Sequence, residues 1–281
     1  MTQNLPIEED VLFSNHKGVR KGRVEKKMRK LLEKVSFLRP FLVEGEKVLL
    51  VTRACSPSSF FEQFLTGWIV YYLKRSLLVF TNKRIFHIPT TMRYNYRNSV
   101  ASISYGDCED IRMKGRQLAV TYRKGGKEQF LYVSEKKKIK AMLKDLALEA
   151  GTATQGGRTH LCPKCTGELK QDVYSCPSCR LEFKDMGTAR KLSLLYPGGG
   201  YFYTRHPILG LSDALTELFL MVMVVIAFIT VINGEQGALV VLVLFGIVLA
   251  MEKALTVYHA KHFIKEYIPV DKDLPDKPRV A

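Results

Sequence analysis

Two apolar runs constrain this chain more than anything else in it. Leu218 to Ile232 is 15 residues in which only Thr230 is polar, and Ala238 to Met251 is 14 residues with no polar side chain. As a helix, either run is about 22 Å long, short of a hydrocarbon core of roughly 30 Å. Extended to Ser212–Asn233 and Gly237–Tyr258, each reaches 22 residues, or about 33 Å. The extension takes Asp213 and Glu217 into one helix, and Glu252 and Lys253 into the other. Two adjacent runs of this kind need either lipid or a large partner core, and the rest of the chain does not offer such a core. A two-pass membrane hairpin is therefore expected, rather than a buried soluble one.

The flanking charge orients that hairpin. The connection Asn233 to Gly237 holds no Lys or Arg, whereas Lys191 and Arg205 precede the hairpin and Lys253, Lys261 and Lys265 lie at or after its end. The positive-inside rule then puts both termini in the cytoplasm. Met1 to Asp10 is polar and acidic, and is not expected to act as a signal peptide. An antiparallel hairpin brings Glu217 and Glu252 to nearly the same depth. A carboxylate there must face the other helix, a partner or the interface, while Lys253 is expected to snorkel toward the headgroups.

Six cysteines are present, four of them as Cys162-Pro-Lys-Cys165 and Cys176-Pro-Ser-Cys179. A two-residue spacing lets both thiolates of a pair reach one ion, and two such knuckles close a tetrahedral four-sulfur site. One structural zinc ion is expected on Cys162, Cys165, Cys176 and Cys179; rubredoxin-like iron and a redox pair are the alternatives. Neither copy sits at a helix start after a strand, as a redox Cys-x-x-Cys does. Four thiolates leave no open position for hydrolytic chemistry. The intervening residues have room for a short hairpin, with Val173-Tyr174 as strand. His160 lies two residues before the first ligand and is not needed. Cys55 and Cys108 read as small buried hydrophobes. Reduced thiolates favour the cytosolic side for this segment, in line with the charge argument. Over residues 158–185 the segment resembles the zinc-ribbon family.

Net charge is +16, from 43 Lys and Arg against 27 Asp and Glu, and it is unevenly spread. Residues 1–40 carry +5, 41–150 carry +9, 151–190 carry +2, and 191–281 carry zero. A basic half thus precedes a neutral, apolar one, and anionic lipid explains that asymmetry. Nucleic acid is not expected as a partner, because the ribbon segment holds little of the charge and no dense Arg and aromatic stripe. In residues 1–40, a helix over about Val24 to Phe37 carries Lys26, Lys27, Arg29, Lys30 and Lys34. Two readings stay open for it: a solvated face with pairs such as Glu25–Arg29, or docking on anionic lipid.

Residues 41–150 show short alternating strands. Lys47 to Arg53 is one. Leu77 to Thr81 and Arg84 to Ile88 flank the tight turn Asn82-Lys83. Ser99 to Ser104 and Glu109 to Met113 are weaker. Gln117 to Tyr122 and Glu128 to Val133 flank Arg123 to Lys127. Glu135 to Leu148 then reads as an amphipathic helix, with Ile139, Met142, Leu143 and Leu146 on one face. Glu44-Gly-Glu-Lys-Val48, followed by Leu78-Val-Phe-Thr81-Asn-Lys-Arg84-Ile-Phe86, resembles bacterial pleckstrin-homology and GRAM-like domains. The resemblance implies a barrel of about seven strands closed by a C-terminal helix, and a bacterial source. The departure is the apolar segment 54–76, which is expected to lie on the membrane surface or to pack on the barrel.

Ahead of the hairpin, Pro197-Gly198-Gly-Gly200-Tyr-Phe-Tyr203 resembles the Pro-Gly-x-Gly-x-x-Tyr opening of small two-helix membrane proteins, although Arg205 and His206 replace the glycine expected next. Its glycines suit a tight bend, and its tyrosines the headgroup level.

No Ser/His/Asp order, nucleotide loop or His-Glu-x-x-His helix occurs, and His16, His87, His160, His206, His259 and His262 are scattered. The expectation is a multidomain, non-enzymatic protein of the bacterial inner membrane. A basic N-terminal segment (1–40) leads into a pleckstrin-homology-like β-barrel (41–150) and a zinc ribbon (158–185). An α-helical two-pass hairpin (190–268) and a polar tail (269–281) follow. Its expected work is to present a surface to an unknown protein partner beside the bilayer, with no small-molecule substrate. The alternative is an accessory subunit of a transport or export complex, with the hairpin packed on a permease.

Overall fold

A computed structural model describes residues 5–58, 63, 70–145 and 156–270. The described residues divide into two compact units between Leu181 and Glu182.

The first unit is built on two antiparallel sheets. Strands β1 (Val48–Cys55), β2 (Arg75–Thr81), β3 (Arg84–Pro89) and β4 (Val100–Ser104) run in order, and β8 (Thr159–Leu161) and β9 (Glu168–Leu169) extend the same sheet beyond β4. The second sheet holds β5 (Cys108–Lys114), β6 (Gln117–Tyr122) and β7 (Lys127–Phe130). The sheets meet where Cys55 and Leu131 exchange backbone hydrogen bonds at 2.8 and 3.1 Å. Both hairpins expected from the sequence, β2–β3 and β6–β7, form. Every residue of β2 after Arg75 is buried, as its unbroken Leu-Leu-Val-Phe run requires of a strand covered on both faces.

The N-terminal segment is part of this core. The short helix α1 (Glu9–Leu12) and the longer α2 (Gly22–Lys34) contribute Leu12, Met28 and Leu31 to the same buried cluster as Leu50, Phe80 and Phe130. Of the basic face on α2, Arg29 pairs with Glu25 at 2.6 Å, as the i,i+4 spacing dictates. A one-turn helix, α3 (Val70–Leu73), precedes β2, and α4 (Lys136–Asp145) follows β7. Lys138 on α4 is buried, and its ammonium donates to the carbonyls of Val11, Leu12 and Ser14, tying α4 to the end of α1. Burial pulls its pKa down to about 8. Residues 59–62 and 64–69 of the apolar segment 54–76, Trp68 among them, and the far end of the amphipathic helix at Leu146 lie outside the described residues.

The second unit is helical: α5 (Met186–Leu195), α6 (Gly199–Tyr203), α7 (Pro207–Ile232) and α8 (Ala238–Ile264). Both α7 and α8 are long and apolar enough to cross a membrane, and only 17% of the apolar window of α7 and none of that of α8 is buried within the chain. A core hairpin of a soluble protein would be mostly covered. Here Phe219, Ile226, Val240, Leu244 and Met251 all face outward. The glycines ahead of α7 are there for close approach. Gly198 adopts φ +66°, and a Cβ on it would lie 2.1 Å from the Gly210 carbonyl oxygen; a Cβ on Gly200 would lie 2.1 Å from Ser193 Oγ. Tyr201 in this segment does not sit outward as a headgroup anchor. It is buried, with its hydroxyl on His259 Nδ1 at 2.5 Å.

Candidate metal centre and buried polar clusters

The four paired cysteines converge. Their sulfurs all lie within 4.8 Å of one another, with Cys162 to Cys179 and Cys165 to Cys176 each at 3.5 Å. That is well beyond a disulfide at about 2.05 Å, and all four are free thiols. Four sulfurs at about 2.3 Å from a tetrahedral ion stand roughly 3.8 Å apart, so the cluster already has the dimensions of a metal site.

The two knuckles are built alike. Cys162 N–H donates to Gly167 O and Thr166 N–H to Cys162 O; Cys176 N–H donates to Leu181 O and Arg180 N–H to Cys176 O, all at 2.8–2.9 Å. Each loop turns on a left-handed residue, Thr166 at φ 62° and Arg180 at φ 56°. This winding aims backbone amides at sulfur: those of Lys164 and Cys165 at Cys162, and those of Ser178 and Cys179 at Cys176. Burial pushes the Cys162 and Cys165 thiols up; at Cys176 the amides, with the Cys165 and Cys179 side chains, outweigh burial and bring the pKa to about 7. Four converging sulfurs are a donor set that fits a soft dication. His160 is not part of the cluster.

The position of the strands differs from expectation. Val173 and Tyr174 are not a strand, and Val173 is exposed. The ordered strands are β8, immediately before the first knuckle, and β9 between the knuckles. β8 is hydrogen-bonded to β4, with Val100 opposite Leu161 and Ser102 opposite Thr159. The cysteine module is thus an extension of the sheet domain's own sheet. Pairing across about sixty residues leaves no periodicity that could announce it.

A second cluster lies between the helices of the second unit. Glu217 is fully buried; one carboxylate oxygen accepts from Lys253 Nζ at 2.8 Å and from Gly198 N–H at 3.1 Å. The other, Oε1, is buried with no hydrogen-bond partner among the described residues. Asp213, one turn earlier, accepts from Thr256 Oγ1 at 3.1 Å. The residue expected level with Glu217 is Glu252; the one bonded to it is Lys253, one position further on. Lys253 does not snorkel outward. Its ammonium turns in to Glu217 and the Ser193 carbonyl at 3.0 Å, because an unpaired buried carboxylate costs more than the lysine's hydration. Nearby on α8, His259 meets Tyr201, and His262 Nδ1 meets the Tyr258 carbonyl.

The pair carries a testable consequence. Lys253→Met is expected to lower hairpin stability by roughly 3–5 kcal/mol, since it strands the Glu217 carboxylate, and Lys253→Met combined with Glu217→Leu is expected to recover most of the loss. Detergent-induced unfolding of the full chain reads both. Equal stability of the single and double variants would show that the pair does not lock α7 to α8.

A third cluster looks catalytic by composition and is not by geometry. In the sheet domain, Ser56 Oγ lies 2.8 Å from His87 Nε2, with both side chains buried. On the other side, Arg158 contacts His87 Nδ1 at 2.6 Å. A guanidinium can only donate, so Nδ1 accepts and Nε2 carries the proton. His87 therefore donates to Ser56 and is not placed to take its proton. Burial first, and Arg158 second, push the His87 pKa well below 6.5. Arg158 also binds Glu128 on β7 at 2.9 Å, clasping the two sheets together. Cys55 and Cys108 are both buried, and burial raises their thiols to about 11 and 12.

No family model matches this chain, and no curated protein matches it. Two solved structures show weak similarity. The C-terminal domain of an unknown protein from Leishmania infantum is 15% identical, over 44% of this chain and 96% of that one, with a TM-score of 0.27. The hSac2 domain from human phosphoinositide phosphatase Sac2 is 16% identical, over 45% of this chain and 79% of that one, with a TM-score of 0.26. At that level neither bears on the fold or the function of this chain.

Proposed function

We propose that this protein is a non-enzymatic, membrane-anchored adaptor. In this reading the two-sheet domain is pleckstrin-homology-like and the cysteine cluster holds one structural zinc. Helices α7 and α8 cross a bacterial inner membrane with both termini in the cytoplasm. One observation carries it: the cysteine module continues the sheet of the two-sheet domain through β4 and β8, so metal and sheets make one rigid platform. A four-thiolate ion has no open position for substrate, which suits a platform better than a reaction centre. Two further features support it. Seven strands followed by a helix is the element order that the Glu44-Gly-Glu46 and Thr81-Asn-Lys-Arg84 resemblance implies, and the outward apolar faces of α7 and α8 call for lipid.

The test is purification of the full chain in mild detergent under reducing conditions. A soluble protein bound in fixed stoichiometry, and lost from the Cys176→Ser variant, is the expected result. A chain that runs alone at its own mass, with and without the substitution, would overturn the adaptor reading. A polytopic membrane protein in fixed stoichiometry would instead favour an accessory transport subunit. The observation favouring that second reading is the buried Asp213 and Glu217 pair on α7, more polar machinery than an inert anchor needs.

A further inference from the structure

Helix α5 ends on three consecutive large side chains in the open: Leu194, Leu195 and Tyr196 are 51%, 72% and 59% exposed. Phe202, on α6, is exposed as well. The other side of α5 is packed, with Ala189 and Ser193 buried and Ser193 Oγ spent on the Ala189 carbonyl at 2.8 Å. A run of exposed apolar residues is unfavourable in water unless something covers it.

The way the turn between α5 and α6 is held fixes its level along the hairpin. Lys253 Nζ donates to the carbonyls of Ser193 at 3.0 Å and Tyr196 at 3.5 Å, and Gly198 N–H donates to Glu217 at 3.1 Å. A Cβ on Gly200 would lie 3.1 Å from Thr256 Cγ2. Glu217 stands 15 residues before Ile232, and Lys253 15 residues after Ala238, so each is about 22 Å from the connected end of the hairpin. Thr256 is three residues further along, at about 27 Å. With roughly 30 Å of hydrocarbon measured from the polar connection Asn233 to Gly237, the turn sits just inside the opposite edge.

Its backbone suits that level. Non-helical backbone at membrane depth must find its hydrogen bonds within the protein. Tyr196 N–H donates to Leu192 O and Gly199 N–H to Tyr196 O, each at 3.0 Å. Lys253 and Glu217 supply partners for the Ser193 carbonyl and the Gly198 amide. One turn back from Leu194 and Leu195, Arg190 and Lys191 are exposed, where their long side chains reach headgroup phosphates while the leucines sit deeper.

We propose that Leu194, Leu195, Tyr196 and Phe202 form an apolar wedge seated in the acyl–headgroup boundary of the leaflet opposite the Asn233–Gly237 connection, with lipid as its partner. The surface continues the outward apolar faces of α7 and α8: Met251, two residues before Lys253, is exposed at the same level. The proposal rests on the reading that α7 and α8 cross the bilayer, and one experiment tests the two separately. Trp68 is the chain's lone tryptophan, so Trp68→Phe gives a dark background for the full chain in phosphatidylcholine vesicles. Leu195→Trp reports the wedge. Val222→Trp reports the span, since Val222 is exposed and stands 10 residues before Ile232, about 15 Å from the connected end and near the bilayer centre. Tyr196→Trp, an aromatic exchange at the neighbouring exposed position, repeats the wedge measurement should Leu195→Trp not fold. Circular dichroism and metal content check all three. Leu195→Trp is expected to be quenched about twofold more by lipid brominated near the headgroup than by lipid brominated at the chain ends, and little by aqueous iodide. Val222→Trp is expected to show the reverse order of the two lipids. Leu195→Trp open to iodide and untouched by either lipid, with Val222→Trp quenched, overturns the wedge and leaves the spanning helices standing. Leu195→Trp shielded from every quencher shows that protein, such as a second copy of the chain, covers the surface, and overturns lipid as the partner. Leu195→Trp quenched most from the chain ends overturns the boundary placement. Quenching of neither tryptophan by brominated lipid overturns the spanning reading and the wedge with it.

Discussion

Protein purified under reducing conditions is expected to carry one zinc ion per chain, and to lose the fold around it when the ion is removed. Metal binding to a structural four-thiolate site is worth on the order of 10–16 kcal/mol at neutral pH, and little else holds the module. Its two strands are three and two residues long. Cys176→Ser should abolish stoichiometric metal and expose the backbone amides of β8 and β9 to hydrogen exchange. Because β8 pairs with β4, the loss should reach Val100 to Ser102, which no detached ribbon would affect. Elemental analysis finding neither zinc nor iron would remove the metal centre altogether. Unchanged exchange at β4 in the serine variant would show that the cysteine module and the sheet are energetically separate.

The second large effect is expected at Glu46, which the sequence presents only as part of a family-like pattern. Its side chain is fully buried. One oxygen accepts from Thr81 Oγ1 at 2.7 Å and Arg84 Nε at 3.1 Å, the other from Arg84 Nη2 and Val43 N–H, each at 3.0 Å. Thr81 Oγ1 also bonds the Arg84 carbonyl and accepts the Lys83 and Arg84 amides. The Glu44-Gly-Glu46 and Thr81-Asn-Lys-Arg84 motif is therefore a clasp that fixes the β2–β3 turn on the loop before β1. It holds that corner of the sheet domain together. Glu46→Ala strands a half-buried guanidinium and is expected to cost roughly 3–5 kcal/mol, read by denaturant unfolding of the full chain. A loss under 1 kcal/mol would show that solvent replaces the carboxylate.

The same clasp predicts acid sensitivity. Burial pushes the Glu46 pKa up, but the Arg84 hydrogen bonds, the Val43 amide and Thr81 together pull it below its ordinary 4.5. A folded pKa below the unfolded one stabilises the fold fully above the unfolded value, and that stability is lost as pH falls through the folded value. The stability gap between wild type and Glu46→Gln should thus close below about pH 4.5, and a gap independent of pH would count against the charged clasp.

What the sequence determined by itself is what depends on short spacing. Two residues between cysteines position two thiolates whatever surrounds them, and an apolar run of fixed length makes a helix that must be covered. The turn at Asn82-Lys83 follows from the apolar runs beside it, and the Glu25–Arg29 pair from helical periodicity. The tertiary structure decided everything that joins distant segments. Nothing near Thr159 signals that it pairs with Ser102, because a three-residue strand has too little pattern to specify a partner. Glu217 and Lys253 are each unremarkable charges at the edge of an apolar run, and only the α7–α8 register shows that one neutralises the other.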